Sequence, residues 1–354
     1  MKVAILFDGA SAFATVPDQL ILGTVDAIQA ALVAEGNSVL RIAVHPDGKW
    51  IGKLRRAQVD LVFNMCEGVD GVAALEPAVI AVLELFGIPY TGSSSATTAL
   101  CLRKHVVNSL LEKSGLPVPR FATIRPGGKL TPGVGFPAIC KPAAEDASIG
   151  IEQRSVVRTA RALGDRLEAM LERWDEVIVQ RYIDGREVNV GVLGDQVLPI
   201  AEIDFSGMPR GKWRIITYRS KWEEGSDEDL GALPQCPAPL SARLAAEVRR
   251  TALAAWKIVG GSGYGRVDMR IDAEGKPWIL EVNANPDISP DAGLARMARV
   301  AGIEYGAMIR TVCELGLARD RERREAGTRW ADSQRLSGVA LPTGEPELFI
   351  AEEP

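Results

Sequence analysis

The 354-residue sequence predicts an α/β lobe followed by α+β structure, and three observations carry that expectation. Over residues 1 to about 96, short apolar runs alternate with stretches of helical period, the pattern of a parallel sheet covered on its faces. Beyond them, strands and helices continue in a less regular order. Near the C-terminus, two strand-like segments flank a four-residue turn, which marks an antiparallel hairpin.

In chain order, "KVAILF" (2 to 7) is a buried strand stopped by Asp8-Gly9. In "LILGTVDAIQAALVAEGN", Leu22, Val25, Ile28, Ala31 and Leu32 recur at helical spacing before Gly36. "SVLRIAV" and "VDLVFNM" follow as strands, and "EPAVIAVLELFG" as a helix closed by Gly87. "TTALCLRKHVVNSLLEKSGLPVPRF" gives an amphipathic helix with a glycine stop and prolines beyond. "FPAICKP" and "VIVQRYI" are strands around a helix near 156 to 173, and "EVNVGVL" and "QVLPIAEI" are strands after them. A polar loop from Asp204 to Asp229 is long enough to be functional or disordered. Helices are expected at about 241 to 259 and 292 to 316, on either side of the hairpin. The lobes are expected at 1–96, 97–183 and 184–317. Residues 318–354 are charged without sustained periodicity, and read as a tail, flexible or docking through Leu348, Phe349 and Ile350.

Composition narrows the chemistry. With 47% hydrophobic and 25% charged residues the chain has room for two or three lobes around sizeable cores. Its formal charge of -5 and lack of a basic run argue against binding nucleic acid. No segment approaches the roughly 20 apolar residues of a membrane span, and Met1 leads into a run too short for a signal peptide, so a cytoplasmic location is expected. The five cysteines are odd in number and without a C-x-x-C pair, which suggests neither a disulfide framework nor a zinc knuckle. Two histidines, His45 and His105, leave little for histidine triads or metal sites. An enzyme made from this chain works with carboxylates, lysines, arginines and bound ions.

The hairpin "GRVDMRI"–"DAEG"–"KPWILEVN" concentrates such groups. With 272 to 275 as the loop, Ile271 lies opposite Lys276 and Arg266 opposite Glu281; alternation then puts Asp268 and Asn283 on the same face. A slip of one residue would scatter the set. Oxygen ligands alone suit Mg²⁺ or Mn²⁺ rather than zinc, with Arg266 beside them to hold charge developing on a transferred group. Taken alone, the same residues are equally compatible with solvated hairpin charges.

Two further stretches have a polar pattern. Lys141 ends the apolar strand "FPAIC", and the loop after it offers backbone N–H groups around Ser148, Ile149 and Gly150, a surface able to cover phosphate oxygens. Lys104 lies on the polar side of "LRKH". "VIVQRYIDGREVNV" runs an apolar strand into Gln180, Arg181, Tyr182 and Ile183, a hinge beneath an aromatic base, with Glu187 placed to accept ribose hydroxyls. Lys221, in the long loop, is positioned to close over a γ-phosphate. Singly, each of these charges is as compatible with a solvated surface.

Taken together and in order, Lys104, Lys141, "ASIG", "QRYIDGRE", "RSKW", "GRVD" and "LEVNANP" resemble the ATP-grasp enzymes, specifically the D-alanine–D-alanine ligase family. "PYTGSSSATTALCLRKH" and "SGLPVPRF" are similar too, and the resemblance covers about residues 1 to 317. It implies a three-lobe ATP-grasp fold with an N-terminal parallel α/β (pre-ATP-grasp) domain, ATP as substrate and two Mg²⁺ ions, for which Mn²⁺ can substitute. By position it implies Lys104, Lys141, Ser148 and Gly150 on phosphates, Gln180, Tyr182 and Ile183 around adenine, and Glu187 on ribose. Asp268, Glu281 and Asn283 would ligate the metals, with Lys221 at the γ-phosphate and Arg266 stabilising the tetrahedral intermediate. The chemistry implied is formation of an acyl phosphate, displaced by an amine, in a homodimer that takes amino-acid-like small molecules.

The departures lie on the amino-acid side. Where the family places a glutamate for the first amino group, this chain has Phe13; its His-Gly motif is Glu67-Gly68; its loop serine is Ala147, its tyrosine Trp222, and its serine for the second carboxylate Ala292. D-alanine's polar groups would be left unpaired there, at about 1 to 3 kcal/mol each. The expectation is therefore an ADP-forming carboxylate-amine ligase that joins amino-acid-like substrates, which need not be D-alanine. The alternatives are a D-alanine–D-alanine ligase proper and a catalytically weak ATP-binding regulatory or carrier partner. A nicotinamide oxidoreductase would need the glycine fingerprint that "DGASAF" lacks.

Overall fold

In the computed structural model the first apolar run forms β1 (Lys2–Asp8), and α1 (Val16–Ala34) returns the chain to β2 (Ser38–Val44). A helix not expected from the sequence, α2 (Lys49–Ala57), leads to β3 (Leu61–Asn64). The structure describes residues 1–9, 16–128, 133–145 and 148–336, with side chains omitted at 16–20 and 327–336. The three strands are parallel in the order β2-β1-β3, because each helical crossover carries the chain back to the same edge direction. Every residue of β3 and six of the seven in β1 are buried, as strands covered on both faces require. Helix α3 (Glu76–Leu85) ends at Gly87, whose φ of 64° suits glycine.

The single helix expected after Thr97 is two. Ser94 caps α4 (Ser95–Cys101), and α5 (Lys104–Lys113) starts afresh after Arg103. The central lobe then builds a four-stranded antiparallel sheet from β4 (Phe121–Ile124), β5 (Ala138–Pro142), β6 (Val156–Val157) and β7 (Val177–Arg181), in the order β4-β7-β5-β6. Helix α6 (Ala160–Leu171) covers one face, packing Leu163, Leu167 and Met170 on Ala138, Cys140, Val177 and Val179.

The third sheet contains β8 (Arg186–Leu193), β9 (Gln196–Val197), β10 (Ala201–Asp204) and, after α7 (Tyr218–Trp222), β11 (Leu233–Gln235). Helix α8 (Ala242–Ile258) precedes its last two strands, β12 (Tyr264–Ile271) and β13 (Pro277–Asn283). One face presents Val188, Val190, Val192, Val267, Met269, Ile279 and Val282 to Val248, Ala252 and Trp256 of α8.

Gly302, with a φ of 80°, divides the last expected helix into α9 (Gly293–Val300) and α10 (Tyr305–Leu336). The tail expected from 318 is corrected as far as Leu336: those residues continue α10, and the boundary at 317 falls inside the helix. Arg319 stacks 3.9 Å over the Tyr90 ring and donates to the Tyr90 carbonyl at 2.8 Å, docking α10 on the N-terminal lobe. Met308, Ile309 and Val312 of α10 share a core with Val25 and Ile28 of α1. Leu348, Phe349 and Ile350 lie outside the described residues.

Candidate active site

Two sheet faces supply the site. In the central sheet Ile139 pairs with Gln180 and Lys141 with Ile178, so alternation puts Ile139, Lys141, Ile178, Gln180 and Tyr182 opposite the α6 face. In the C-terminal sheet, the strands align Glu187 with Arg270, Asn189 with Asp268, and Gly191 with Arg266, on the face away from α8.

The hairpin reaches the expected constellation by a different register. Ile271 pairs with Pro277, one residue off the predicted partner, and a bulge then separates Met269↔Ile279 from Asp268↔Glu281. The two single steps add to two, so parity is restored at the polar end: Asp268 faces Glu281, and Arg266 faces Asn283. The bulge residue is Leu280, and burial changes phase there, with Ile279 and Val282 buried and Leu280 and Glu281 both partly exposed. Bulges re-aim side chains beside functional sites for this reason.

Arg266 grips Asp268 through Nε to Oδ1 at 2.6 Å and Nη2 to Oδ2 at 2.7 Å, and Asn189 donates to Oδ1 at 2.7 Å. Burial pushes the Asp268 carboxyl up against the opposing pull of Arg266. Burial acts likewise on Glu281, but Lys104, Lys141 and Arg266 outweigh it and lower Glu281 to about 2. The buried Lys104 places Nζ 3.7 Å from Glu281 Oε2 and donates to the Glu145 carbonyl at 2.5 Å. Burial, joined by Lys104 and Arg270, lowers the Lys141 pKa against Glu281 and Glu187. Two lysines, an arginine and two carboxylates thus meet in one cleft.

Ser148 and Gly150 form the loop beyond β5, both at positive φ (61° and 74°). A Cβ at Gly150 would come within 2.7 Å of Trp174 and 2.8 Å of Pro142, so only glycine fits. Arg166 holds this loop by donating to the Gly150 carbonyl at 3.0 Å. Gln180 is 2% exposed, and its Nε2 has no partner among the described residues. Beside it, Ile139, Tyr182 and Ile215 form an apolar cluster edged by Trp213, whose ring meets Tyr182 at 5.1 Å. The long loop is thus folded onto the central lobe here. Asn283 accepts from the Asn285 amide at 2.9 Å.

Lys221 is not brought to this array: it is exposed on α7, 5.1 Å over the ring of Trp222. A groove of about 850 Å³ runs between Ile149, Trp174, Tyr218 and Arg219, but its lining includes neither the lysines nor the carboxylates of the array. Of the amino-acid-side departures, Glu67 is exposed beyond β3, and Ala292 is the N-cap of α9 with no side-chain bond. Phe13 and Ala147 lie outside the described residues. Below that region Asn285 donates to Glu76 Oε1 at 3.0 Å and accepts from the Tyr264 hydroxyl at 2.9 Å, joining the N- and C-terminal lobes.

Two site residues were missed in the sequence, Asn189 and Arg270. Both lie two positions along a strand from an expected residue, Glu187 and Asp268, and the period of two is the signal that points to them.

Comparison with known proteins gives one answer. Residues 110–314 match the family model described as D-ala D-ala ligase C-terminus. The D-alanine–D-alanine ligase of Dechloromonas aromatica is 31% identical over 317 residues, 89% of this chain and 97% of that one. A Sinorhizobium fredii protein named uncharacterized protein y4sG is 31% identical over 262 residues, covering 72% of this chain and 74% of its own. The Bacillus anthracis D-alanine–D-alanine ligase crystallised with ATP superposes with a TM-score of 0.75 at 23% identity, over 91% of this chain and 99% of that one.

Proposed function

The chain belongs to the D-alanine–D-alanine ligase family of ATP-grasp enzymes, and from that premise we propose that it joins amino-acid-like substrates other than D-alanine. The family's members are ATP-dependent, ADP-forming ligases of carbon to nitrogen, and this chain is one of them. The observation that carries the reading is the meeting of Lys104 and Lys141 with Glu281, Asp268 and Arg266 in one cleft. A buried and a half-buried lysine suit a polyphosphate, and a carboxylate pair beside them suits the cation that accompanies it.

The residues fit both groups. The partnerless Gln180 amide beside the apolar cluster of Ile139, Tyr182 and Ile215 suits the polar edge and flat faces of a purine. Asp268, Glu281 and Asn283 offer only oxygen donors, as Mg²⁺ prefers. Among the described residues no three His, Cys, Asp or Glu side chains converge, so Asn283 and the phosphates would complete the coordination. Bound there, Mg²⁺ supplies charge neutralisation and alignment of the triphosphate.

In this reading Lys104, Lys141 and the backbone at Ser148 and Gly150 bind phosphate oxygens. Gln180, Tyr182 and Ile183 line the base pocket, and Glu187 accepts from the ribose. A substrate carboxylate attacks the γ-phosphorus, ADP leaves, and an amine displaces phosphate from the acyl phosphate. Arg266 offsets charge on the tetrahedral intermediate, while Lys221 reaches the γ-phosphate only after α7 moves. We divide the chain after residues 96 and 183, with α10 a return to the first lobe. We place it in the cytoplasm as a homodimer through the N-terminal lobe, where exposed Leu75, Leu85 and Phe86 support an apolar contact.

The test is ADP release and new amide mass with Mg-ATP and amino-acid mixtures, repeated with Glu281→Ala. Substrate-dependent ADP that the substitution abolishes is expected. Efficient ADP release with D-alanine alone would replace this specificity with that of a D-alanine ligase, and tight ATP binding without turnover would leave a nucleotide-binding partner protein.

A further inference from the structure

Arg270 is 2% exposed, and its guanidinium ties together three parts of the cleft. Nε and Nη2 both donate to Glu187 Oε2, at 3.1 and 2.8 Å. Nη1 donates to the Ile183 carbonyl at 2.9 Å, and Nη2 also to the carbonyl of Arg214 in the long loop. The same group lies 4.9 Å from the centre of the Tyr182 ring.

We propose that Arg270 is a positioning residue for nucleotide sugar recognition, holding Glu187 by one oxygen so that the other is aimed at the ribose hydroxyls; this rests on the nucleotide reading of the cleft. A carboxylate has about four lone-pair sites, and a planar guanidinium anchored to one oxygen fixes the direction of the rest. The pairing also offsets the charge of Glu187, which would otherwise repel the triphosphate bound nearby. Because Arg270 bonds the hinge carbonyl of Ile183 and the loop carbonyl of Arg214 as well, this orientation depends on the loop being folded against the central lobe.

The experiment compares ATP with 2′-deoxy- and 3′-deoxy-ATP by calorimetric binding and by ADP release, in the wild-type chain, Arg270→Met, Arg270→Lys, and Glu187→Gln with and without Arg270→Met. Binding of inorganic tripolyphosphate, which has no sugar, reports whether the phosphate site of each variant is intact. The wild type is expected to favour ATP over the deoxy forms by about tenfold, the value of one hydrogen bond to a charged acceptor. Arg270→Met should bring that ratio close to one and raise KM for ATP about tenfold, with kcat changed less. Arg270→Lys should fall between the two. In the Glu187→Gln background Arg270→Met should cause no further loss of discrimination.

An unchanged sugar ratio in an Arg270→Met chain that still binds tripolyphosphate overturns the proposal alone. Equal losses of discrimination with and without Glu187 overturn it too, because Arg270 would then act independently of that carboxylate. A wild-type chain that binds no Mg-ATP removes the nucleotide reading together with this inference.

Discussion

Arg266 and Asp268, two residues apart on β12, form a two-pronged ion pair with both contacts under 3 Å. A cation entering at Asp268 competes with that guanidinium, so the two proposed roles of Arg266 and Asp268 are coupled. Arg266→Met should therefore separate them. We expect kcat to fall by about 10² to 10³, the usual cost of one stabilising donor, while the Mg²⁺ concentration giving half-maximal rate falls as well. A magnesium titration of ADP release measures both; an unchanged half-point would mean that Arg266 does not guard the metal site.

The facing of Asp268 and Glu281 depends on the register of β13 against β12. Losing the bulge residue Leu280 alone would leave Glu281 next after Ile279 and so still opposite Asp268, but deleting Ile279 and Leu280 together puts Glu281 opposite Met269, pointing into the valine-rich core under α8. An unpaired carboxylate there should cost about 3 kcal/mol or more and abolish Mg-nucleotide binding. Leu280→Met preserves strand length and should retain binding. Urea unfolding and calorimetry on the two variants test this together.

That bulge also shows what was legible in the sequence. The period-two pattern was enough to group Arg266, Asp268, Glu281 and Asn283, yet the register that groups them was misread, because neither the turn nor a bulge is encoded in hydrophobic alternation. Gln180 and Lys141 were legible for the same reason, each at the polar end of an apolar strand. Arg270 was not: an arginine in mid-strand resembles a solvent-facing residue until β8 places Glu187 opposite it. Helix α2 has only two buried side chains, Trp50 and Leu54, too few to stand out as a period. The charged part of α10 was misread because Arg319 and Arg324 dock by backbone carbonyls of the first lobe, which have no side-chain signature.

The long loop should open in acid. Burial raises the Glu228 pKa, but bonds from Lys212, at 2.8 Å, and from Thr217 and Gln153 outweigh it and leave the value lowered. A carboxyl whose folded pKa lies below its unfolded value, about 4.3, contributes its full stabilisation above that value. The contribution is lost as pH falls through the depressed folded pKa. Fluorescence of Trp213 should thus report loop release below about pH 4, and Glu228→Gln should remove that transition while releasing the loop partly at neutral pH. A transition of the same size in Glu228→Gln would assign it to another group.

Helix α10 should be required for the stability of the first lobe. Arg319 donates to the Tyr90 and Gly92 carbonyls and stacks on the Tyr90 ring, and Arg324 donates to the Gly87 carbonyl at 3.2 Å. These carbonyls lie on the turn that ends α3 and on the segment leading to α4, so the helix fixes the connection between the first lobe and the centre. Arg319→Ala leaves two carbonyls short of a charged donor and should destabilise by about 1 to 3 kcal/mol. Ending the chain after Leu317 removes all of these contacts and should cost more than the single substitution. Chemical denaturation of both variants decides it, and a truncated chain as stable as the full one would show that residues beyond 317 are a tail in energy if not in shape.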